Sequence, residues 1–558
     1  MDVLPGLERA INNGSIRIAT RKLCAAVLVN PAARDRALYE VYDNRLRRVA
    51  PSYGFDLIPV LVYARRAFAL AIVNDFLIMA TVVASAIHAP LAMIFVTSVF
   101  ASWYVLRNAA RLVMDYIRYI RDRKSFSELE QLKARRKLLG YLAPPSFAIA
   151  VLSTLAVGSG FGREFGGLKE SLFFLGCLLA VSVLITAVRQ AMLEEVRRAP
   201  KGLYPEKRLA KLNPRLREID RQQKHPFTVH SGYRPFVGSG RSLTEWSFAQ
   251  RLIKKQTLMA EDAGKEFEKR PFGTRDLVAY LEERITNLAD ESDPETRLNG
   301  LTVKHRIFVE GVNAKQYLAE LLGEPDRHRL EQIMADPSAV GRHYLTCQVE
   351  SWGGEIVTTV YVHVSLQGRT LYLQFCACAL PPTPRDYQFI EEAGRIQIID
   401  FMRAVLVHLI DVPELIRAPR RILSLPRRLV AAIFNRTDRA SALRRGRDVG
   451  AEMSLREPDE AEDDELARLL RSEEELEESY FQLADIRKHT KIIERQLIAA
   501  VTDFLSAHDV DTSEFEARVT AILNQGVINT GSGTVNANGS AIGSQNVIVT
   551  GSSSSGDG

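Results

Sequence analysis

The sequence predicts an α-helical membrane protein with a cytosolic α+β domain, a C-terminal helical hairpin and a low-complexity tail. Four apolar stretches form two hairpins within residues 67–188, and each is close to the ~20 residues that a helix needs to cross a bilayer. Apolar and polar residues alternate as in β-strands within 225–395. The tail, 525–558, carries a single charge and is rich in Gly, Asn and Ser.

The composition fits a membrane protein in a reducing compartment. The 558 residues are 46% hydrophobic and 25% charged, but the apolar residues concentrate in 67–188. Five scattered cysteines are too few for a disulfide framework. The N-terminus lacks a basic segment followed by an apolar one, so we expect the first membrane helix to act as an uncleaved internal signal.

The charges that flank the apolar stretches predict four membrane spans. The stretches cover 67–87, 91–106, 141–158 and 171–188. The preceding segment, 1–66, is predicted to be an amphipathic helical region, and it holds eleven Lys/Arg against six Asp/Glu. Because Lys and Arg favour the cytoplasmic side, we expect a multi-pass protein of the cell membrane with both termini in the cytoplasm. The alternative is a buried helical hairpin of a soluble protein.

Two polar residues, Asn74 and Asp75, interrupt the first apolar stretch. A carboxyl group inside a bilayer costs a few kcal/mol unless it is paired or faces a wet interior. Asp75 could therefore contact a proton or a cation, or join neighbouring helices. The favoured alternative is a carboxyl near the headgroups, or a protonated one bonded to a neighbouring Ser or Thr, since no second intramembrane charge supports a transport pathway.

A soluble domain is predicted after a basic linker at 189–224. Within 225–395, residues 301–309 alternate as in a strand, and 343–380 predict three antiparallel strands with one buried face. Thr274 is predicted to cap a helix. The apolar face of that helix consists of Leu277, Leu281, Ile285 and Leu288.

An arginine-rich, amphipathic segment, 396–447, is predicted to lie close to the membrane. Its first part belongs to an apolar stretch, 390–412, which is interrupted by charges and predicts a packed or interfacial helix. The basic residues expected at the membrane surface are Arg417, Arg420, Arg421, Arg427 and Arg428. Such a segment suits an anionic lipid surface, and the alternative is a solvated basic linker.

The C-terminal part begins with an acidic linker at 448–478, where charge changes sign. The next segment, 479–524, has two imperfect heptads, which are weak evidence for a coiled coil. A short helical hairpin is therefore the favoured structure.

The tail predicts stacked β-arcs, because short β-branched runs alternate with Gly, Asn and Ser. The residues expected to form an assembly motif are Val527, Val535, Ile542, Gly543, Asn546 and Val547. The segment 542–546, I-G-S-Q-N, resembles the I-G-x-x-N core of RIP-homotypic-interaction-type amyloid signalling motifs. That resemblance implies homotypic assembly, as in the similar tails of bacterial signalling and conflict proteins. Ser540 and Ala541 depart from the pattern, and a flexible tail is the alternative.

The sequence contains no convincing signature of catalysis or cofactor binding. The G-x-G-x-x-G-like run at 160–166 has no strand before it and lies in a predicted outer loop. Cys376 and Cys378 alternate onto one strand face, where packing is the favoured role over metal binding. We expect no metal, no cofactor and no nucleic-acid partner.

These observations favour a non-enzymatic, membrane-anchored sensor or scaffold whose tail assembles with itself or binds a partner. We expect the lipid bilayer as its environment and a homo-oligomer as its state. The first alternative is a channel, pore or transporter that uses the four helices. The second is an enzyme with an unrecognised site in 225–395.

Overall fold

The computed structural model describes most of the chain in twelve separate ranges. These are 18–122, 126–159, 167–198, 213–255, 266–291, 297–323, 326–383, 398–410, 445, 449–451, 454–456 and 480–524.

Helices occur before, within and after a six-stranded sheet. The helices are α1 (Ile18–Val29), α2 (Pro31–Arg36), α3 (Leu57–His88), α4 (Pro90–Asp122), α5 (Phe126–Gly158), α6 (Leu168–Arg198), α7 (Pro214–Lys224), α8 (Thr274–Thr286), α9 (Leu318–Leu322), α10 (Arg327–Ala335), α11 (Ile398–Ile410), α12 (Tyr480–Ala507) and α13 (Ser513–Asn524). The strands are β1 (Phe227–His230), β2 (Arg241–Arg251), β3 (Leu301–Glu310), β4 (Arg342–Ser351), β5 (Ile356–Gln367) and β6 (Thr370–Leu380).

Three helices are long and apolar enough to cross a membrane. They are Leu57–His88, Pro90–Met114 within α4, and Leu168–Arg198. The predicted third stretch lies in α5, where the apolar part, Pro144–Val157, is shorter than a full span. The first span was expected to begin at residue 67, but α3 begins ten residues earlier, because Asp56 caps it by accepting from the backbone N–H of Ile58.

The helices α3 to α6 pack as a bundle, in which α4 lies against α5 and α6 lies against α3 and α4. Small polar side chains lie between helices at some contacts. The hydroxyls of Ser98 and Ser153, for example, are 3.1 Å apart. Such hydrogen bonds between helices stabilise association where no hydrophobic driving force exists.

The sheet has the strand order β1-β3-β4-β5-β6-β2. β1 runs parallel to β3, and every other pair is antiparallel. The three-stranded meander predicted at 343–380 is therefore present as β4, β5 and β6. β2 extends this meander at its β6 edge, although β2 and β6 are more than a hundred residues apart in sequence.

The expectation that the meander has one buried face is wrong, because both faces are covered. On one face, Val360 and Val362 pack with the buried side of α8 and with α12. On the other, Phe236 stacks on Tyr361 with ring centroids 4.0 Å apart. The loop that carries Phe236 thus excludes water from side chains that alternation alone assigns to the surface.

The helix α8 buries its predicted apolar side, but Thr274 is its first residue and not its cap. Gly273 occupies the cap position, and its N–H donates to the Asp276 carboxylate at 2.8 Å. The C-terminal helices α12 and α13 also pack on this sheet: the Trp246 indole N–H donates to Glu494, and Phe515 packs against Phe248.

Candidate functional site: the bundle core and its junction with the sheet

Asn74 and Asp75 lie in the interior of the bundle, with 2% and 0% of their surfaces exposed. The helix that carries them, α3, packs against α6. Two contacts fix the antiparallel register of these helices: Arg66 pairs with Glu195 at 3.0 Å, and Val82 packs into the cluster that contains Leu178.

This register places Asp75 at the level of Thr186. Thr186 and Ser182 of α6 are also buried. Carboxyl, amide and hydroxyl groups buried between membrane helices can form hydrogen bonds from one helix to another or contact a proton or a small cation.

At the Leu57 end of α3, the bundle continues into a second apolar core. Here α1, the first turns of α3, the last turns of α6, and α7 share one cluster of buried side chains. The helix α3 therefore belongs to both the bundle and this membrane-proximal core.

A buried ion pair connects this core to the sheet. The Lys22 ammonium of α1 lies 3.2 Å from the Glu355 carboxylate, at the start of β5, and both side chains are more than nine-tenths buried. The same carboxylate accepts from the backbone N–H and the hydroxyl of Thr383, just after β6. Removal of one partner from such a pair is strongly destabilising, since the other charge stays buried.

Arg456, from the part of the chain that follows the sheet, also contributes to this junction. Its guanidinium donates to the carbonyl oxygens of Gly354, Glu355 and Pro381. Burial lowers the pKa of Arg456 to about 10, while the nearby Glu355 and Glu350 charges oppose that shift. The guanidinium thereby satisfies carbonyl groups that would otherwise lose their hydrogen bonds on burial.

The segment before α3 also contacts the sheet at this junction. The Tyr361 hydroxyl donates to the Tyr53 hydroxyl at 3.1 Å. The next residue, Gly54, has φ +74°, and a Cβ atom there would lie 2.5 Å from the carbonyl oxygen of Gly354. Only glycine fits this close approach without a shift of the backbone.

The sheet carries one cluster of titratable groups, between β3, β4 and α8. The Glu282 carboxylate lies 3.1 Å from Nε2 of His305, whose Nδ1 lies 2.9 Å from Nε2 of His343. Burial lowers the pKa of His343 to about 3, and the neighbouring His305 and His363 add to that shift. A neutral His343 therefore extends the hydrogen-bond chain into the core.

A cleft of about 480 Å³ opens elsewhere, between the 3₁₀-helix Gly311–Tyr317 and α10. Its acidic lining residue, Asp336, accepts from Ser338 and so caps the next turn. Among the described residues, no three His, Cys, Asp or Glu side chains are placed to hold a metal ion. Cys376 and Cys378 have their sulfur atoms 3.9 Å apart on the aromatic face of the sheet.

Other predicted residues lie outside the described ranges. They are Arg417, Arg420, Arg421, Arg427, Arg428, Val527, Val535, Ile542, Gly543, Asn546 and Val547. Sequence reasoning also missed the junction residues Lys22, Glu355 and Arg456. The signal that could have found Glu355 is a single acidic residue directly before a strand rich in β-branched residues, since buried charges are rare unless paired.

These features define a class: an α+β domain with a mixed six-stranded sheet, attached to helices long and apolar enough to cross a membrane. A family model described as the AbeC-like domain matches residues 245–536, which is just over half of the chain. The chain belongs to this bacterial domain family. The match covers most of the sheet together with α12 and α13, and it lends nothing to the resemblance of the tail to RIP-homotypic motifs. Neither curated proteins nor solved structures gave a match.

Proposed function

We propose that the protein is a non-enzymatic, membrane-anchored sensor or scaffold. In this proposal α3, α4, α5 and α6 span the membrane, and both termini are cytoplasmic. The observation that carries it is the buried junction of Lys22, Glu355 and Arg456. A junction with buried charges favours one arrangement of the helical bundle and the sheet domain. A conformational change in either one would therefore alter the other.

Membrane anchoring is supported by the apolar surface of the bundle. Val73, Phe76 and Ile87 of α3 are at least half exposed, as are Phe173 and Leu184 of α6. Soluble proteins rarely expose apolar patches of this extent. The bilayer is the partner that removes this surface from water.

The C-terminal part is proposed to supply contacts with partners. The arginines within 396–447 would attract an anionic lipid surface, at about 1 kcal/mol for each charge near it. The tail, 525–558, would mediate homotypic assembly, which its Gly/Asn-rich pattern supports.

The orientation is tested by labelling single cysteines in sealed vesicles with a membrane-impermeant reagent. We expect a cysteine at Ser159, beside the second outer loop, to react from outside, and a cysteine at Arg275 in α8 to react only after permeabilisation. Reaction of the Arg275 position from outside would refute the topology. Assembly is tested by comparing the full chain with residues 1–524 in sedimentation, where an unchanged oligomer would refute the role of the tail.

A channel or transporter is the second candidate, favoured by the complete burial of Asp75 inside the bundle. Ionisable groups in such positions often mark ion pathways. Asp75→Asn should then abolish or strongly change ion flux in liposomes, while Thr97→Ala, on an exposed side of α4, should not. No flux through the wild-type protein would refute this candidate.

A further inference from the structure

The helix α11 follows the sheet in sequence, but it packs against the membrane-span candidate α6. It has 13 residues, Ile398–Ile410, and is therefore about 20 Å long at 1.5 Å per residue. That length is too short to cross a hydrocarbon core of about 30 Å. An apolar helix of this length is typical of a buried core helix or of an interfacial or re-entrant element.

The side chains of α11 divide into two sides. Val405 is buried, and the partly buried Phe401 and Ala404 share its side of the helix. On the opposite side, Met402, Leu406 and Val407 are 55%, 49% and 58% exposed. One side is therefore satisfied by protein contacts, whereas the other presents large apolar groups to its surroundings.

α11 lies beside a helix whose exposed side faces lipid in the proposed function. α11 and α6 lie side by side, and α6 exposes Leu172, Phe173 and Leu184. Because α11 packs on a helix that faces lipid in this proposal, lipid is also the environment that would cover the exposed apolar side of α11. Arg403 is exposed on α11 as well, and its long side chain can carry the charge to the headgroups.

We propose that α11 is a fifth membrane-embedded element, whose Met402, Leu406 and Val407 contact lipid acyl chains. This proposal rests on the membrane anchoring proposed above. It means that the chain returns to the bilayer after β6. The sheet domain is then attached to the membrane at both of its ends, through α6 and α7 on one side and through α11 on the other.

The experiment measures the environment of a nitroxide attached to single cysteines of the full chain in liposomes. The background is Cys177→Ser, which removes the partly exposed native thiol and leaves four buried ones. Labels are placed by Leu406→Cys in α11, Val83→Cys in α3 and Val340→Cys in the sheet domain, all at exposed apolar positions. Accessibility to oxygen is compared with accessibility to a neutral nickel chelate.

We expect the oxygen-to-nickel ratio at Leu406 to match that at Val83 and to exceed that at Val340 severalfold. A water-like ratio at Leu406 with a lipid-like ratio at Val83 would overturn the role of α11 and leave the anchoring intact. A water-like ratio at Val83 would overturn both. If Leu406→Cys does not fold, Met402→Cys reports on the same side of the helix.

Discussion

The helical bundle and the sheet domain bury their apolar residues in different ways. In the bundle, α3 and α6 bury one stripe each and expose apolar residues elsewhere. In the sheet domain, β5 is buried on both faces, by helices on one side and by the loop carrying Phe236 on the other. The sheet domain therefore completes its own core, whereas the bundle leaves apolar surface exposed, which lipid would cover in the proposed membrane location.

The same substitution, Phe→Ala, should reduce stability by very different amounts in the two regions. Phe375→Ala, in β6, should reduce local stability by about 3–5 kcal/mol, because this fully buried ring leaves a cavity. Phe173→Ala, in α6, should cost less than about 1 kcal/mol in a bilayer, because lipid chains replace the lost contacts at a ring that is 76% exposed. Hydrogen exchange of β5 and α6 peptides in liposomes measures both. Equal losses would contradict the comparison.

The junction between the regions should be sensitive to its buried charge. Glu355→Gln removes the carboxylate that faces Lys22, and we expect a loss of about 3 kcal/mol. Hydrogen exchange should quicken in α1 and β5 together. Glu266→Gln is the matched control, since its carboxylate pairs with Arg251 and Arg369 at the surface, where solvent screening should make the loss of stability much smaller. Similar losses for the two variants would argue against a coupled junction.

Acid should destabilise the sheet domain through its buried histidines. Burial lowers the pKa values of His225, His343, His363 and His489. Below pH about 6.5 the unfolded chain binds protons that the folded chain does not, so stability falls as pH falls. The pKa of His343 in the folded protein is about 3. Below pH about 6.5, this residue alone therefore lowers the free energy of unfolding by up to about 1.4 kcal/mol per pH unit.

His343→Gln should therefore flatten the pH dependence of exchange in β4, while lowering stability at pH 7 through lost packing and the altered hydrogen bond to His305. Wild-type β4 with constant protection between pH 6.5 and 5 would show that the buried histidines do not control acid stability.

The smallest effect is expected for the ion pair between α8 and α12. Arg284 lies 3.0 Å from Asp503, and both side chains are largely solvated. Asp503→Asn should cost about 0.2–1 kcal/mol, and the difference should vanish at 1 M salt. A loss that persists at high salt would indicate that packing joins these helices and that charge contributes little.

Local patterns in the sequence predict much of the sheet domain and little of its long-range organisation. The meander at 343–380 and the apolar side of α8 follow from periodicity, because each depends on neighbours in the chain. β2 was missed, because its pairing with β6 depends on residues far away in sequence. The second buried face was missed for the same reason, since Phe236 covers Tyr361 from a distant loop.

The site shows the same division. Asn74 and Asp75 were found because polar residues stand out in an apolar helix. Lys22 and Glu355 were not, because they are 333 residues apart and each is an ordinary charged residue in its own segment. Hydropathy also placed the start of α3 too late. Arg65 and Arg66 lower the mean hydropathy at that point, although the helix continues through them.

The length of α3 has a mechanical consequence. Its 32 residues form one helix of about 48 Å, with one end in the membrane-proximal core and the other beyond the level of Asp75. A rod of this length converts rotation into displacement: a tilt of about 5° about one end moves the other by roughly 4 Å. In the proposed membrane location, thinning or thickening of the bilayer would tilt α3 and thereby move the segment that contains Tyr53 sideways against the sheet.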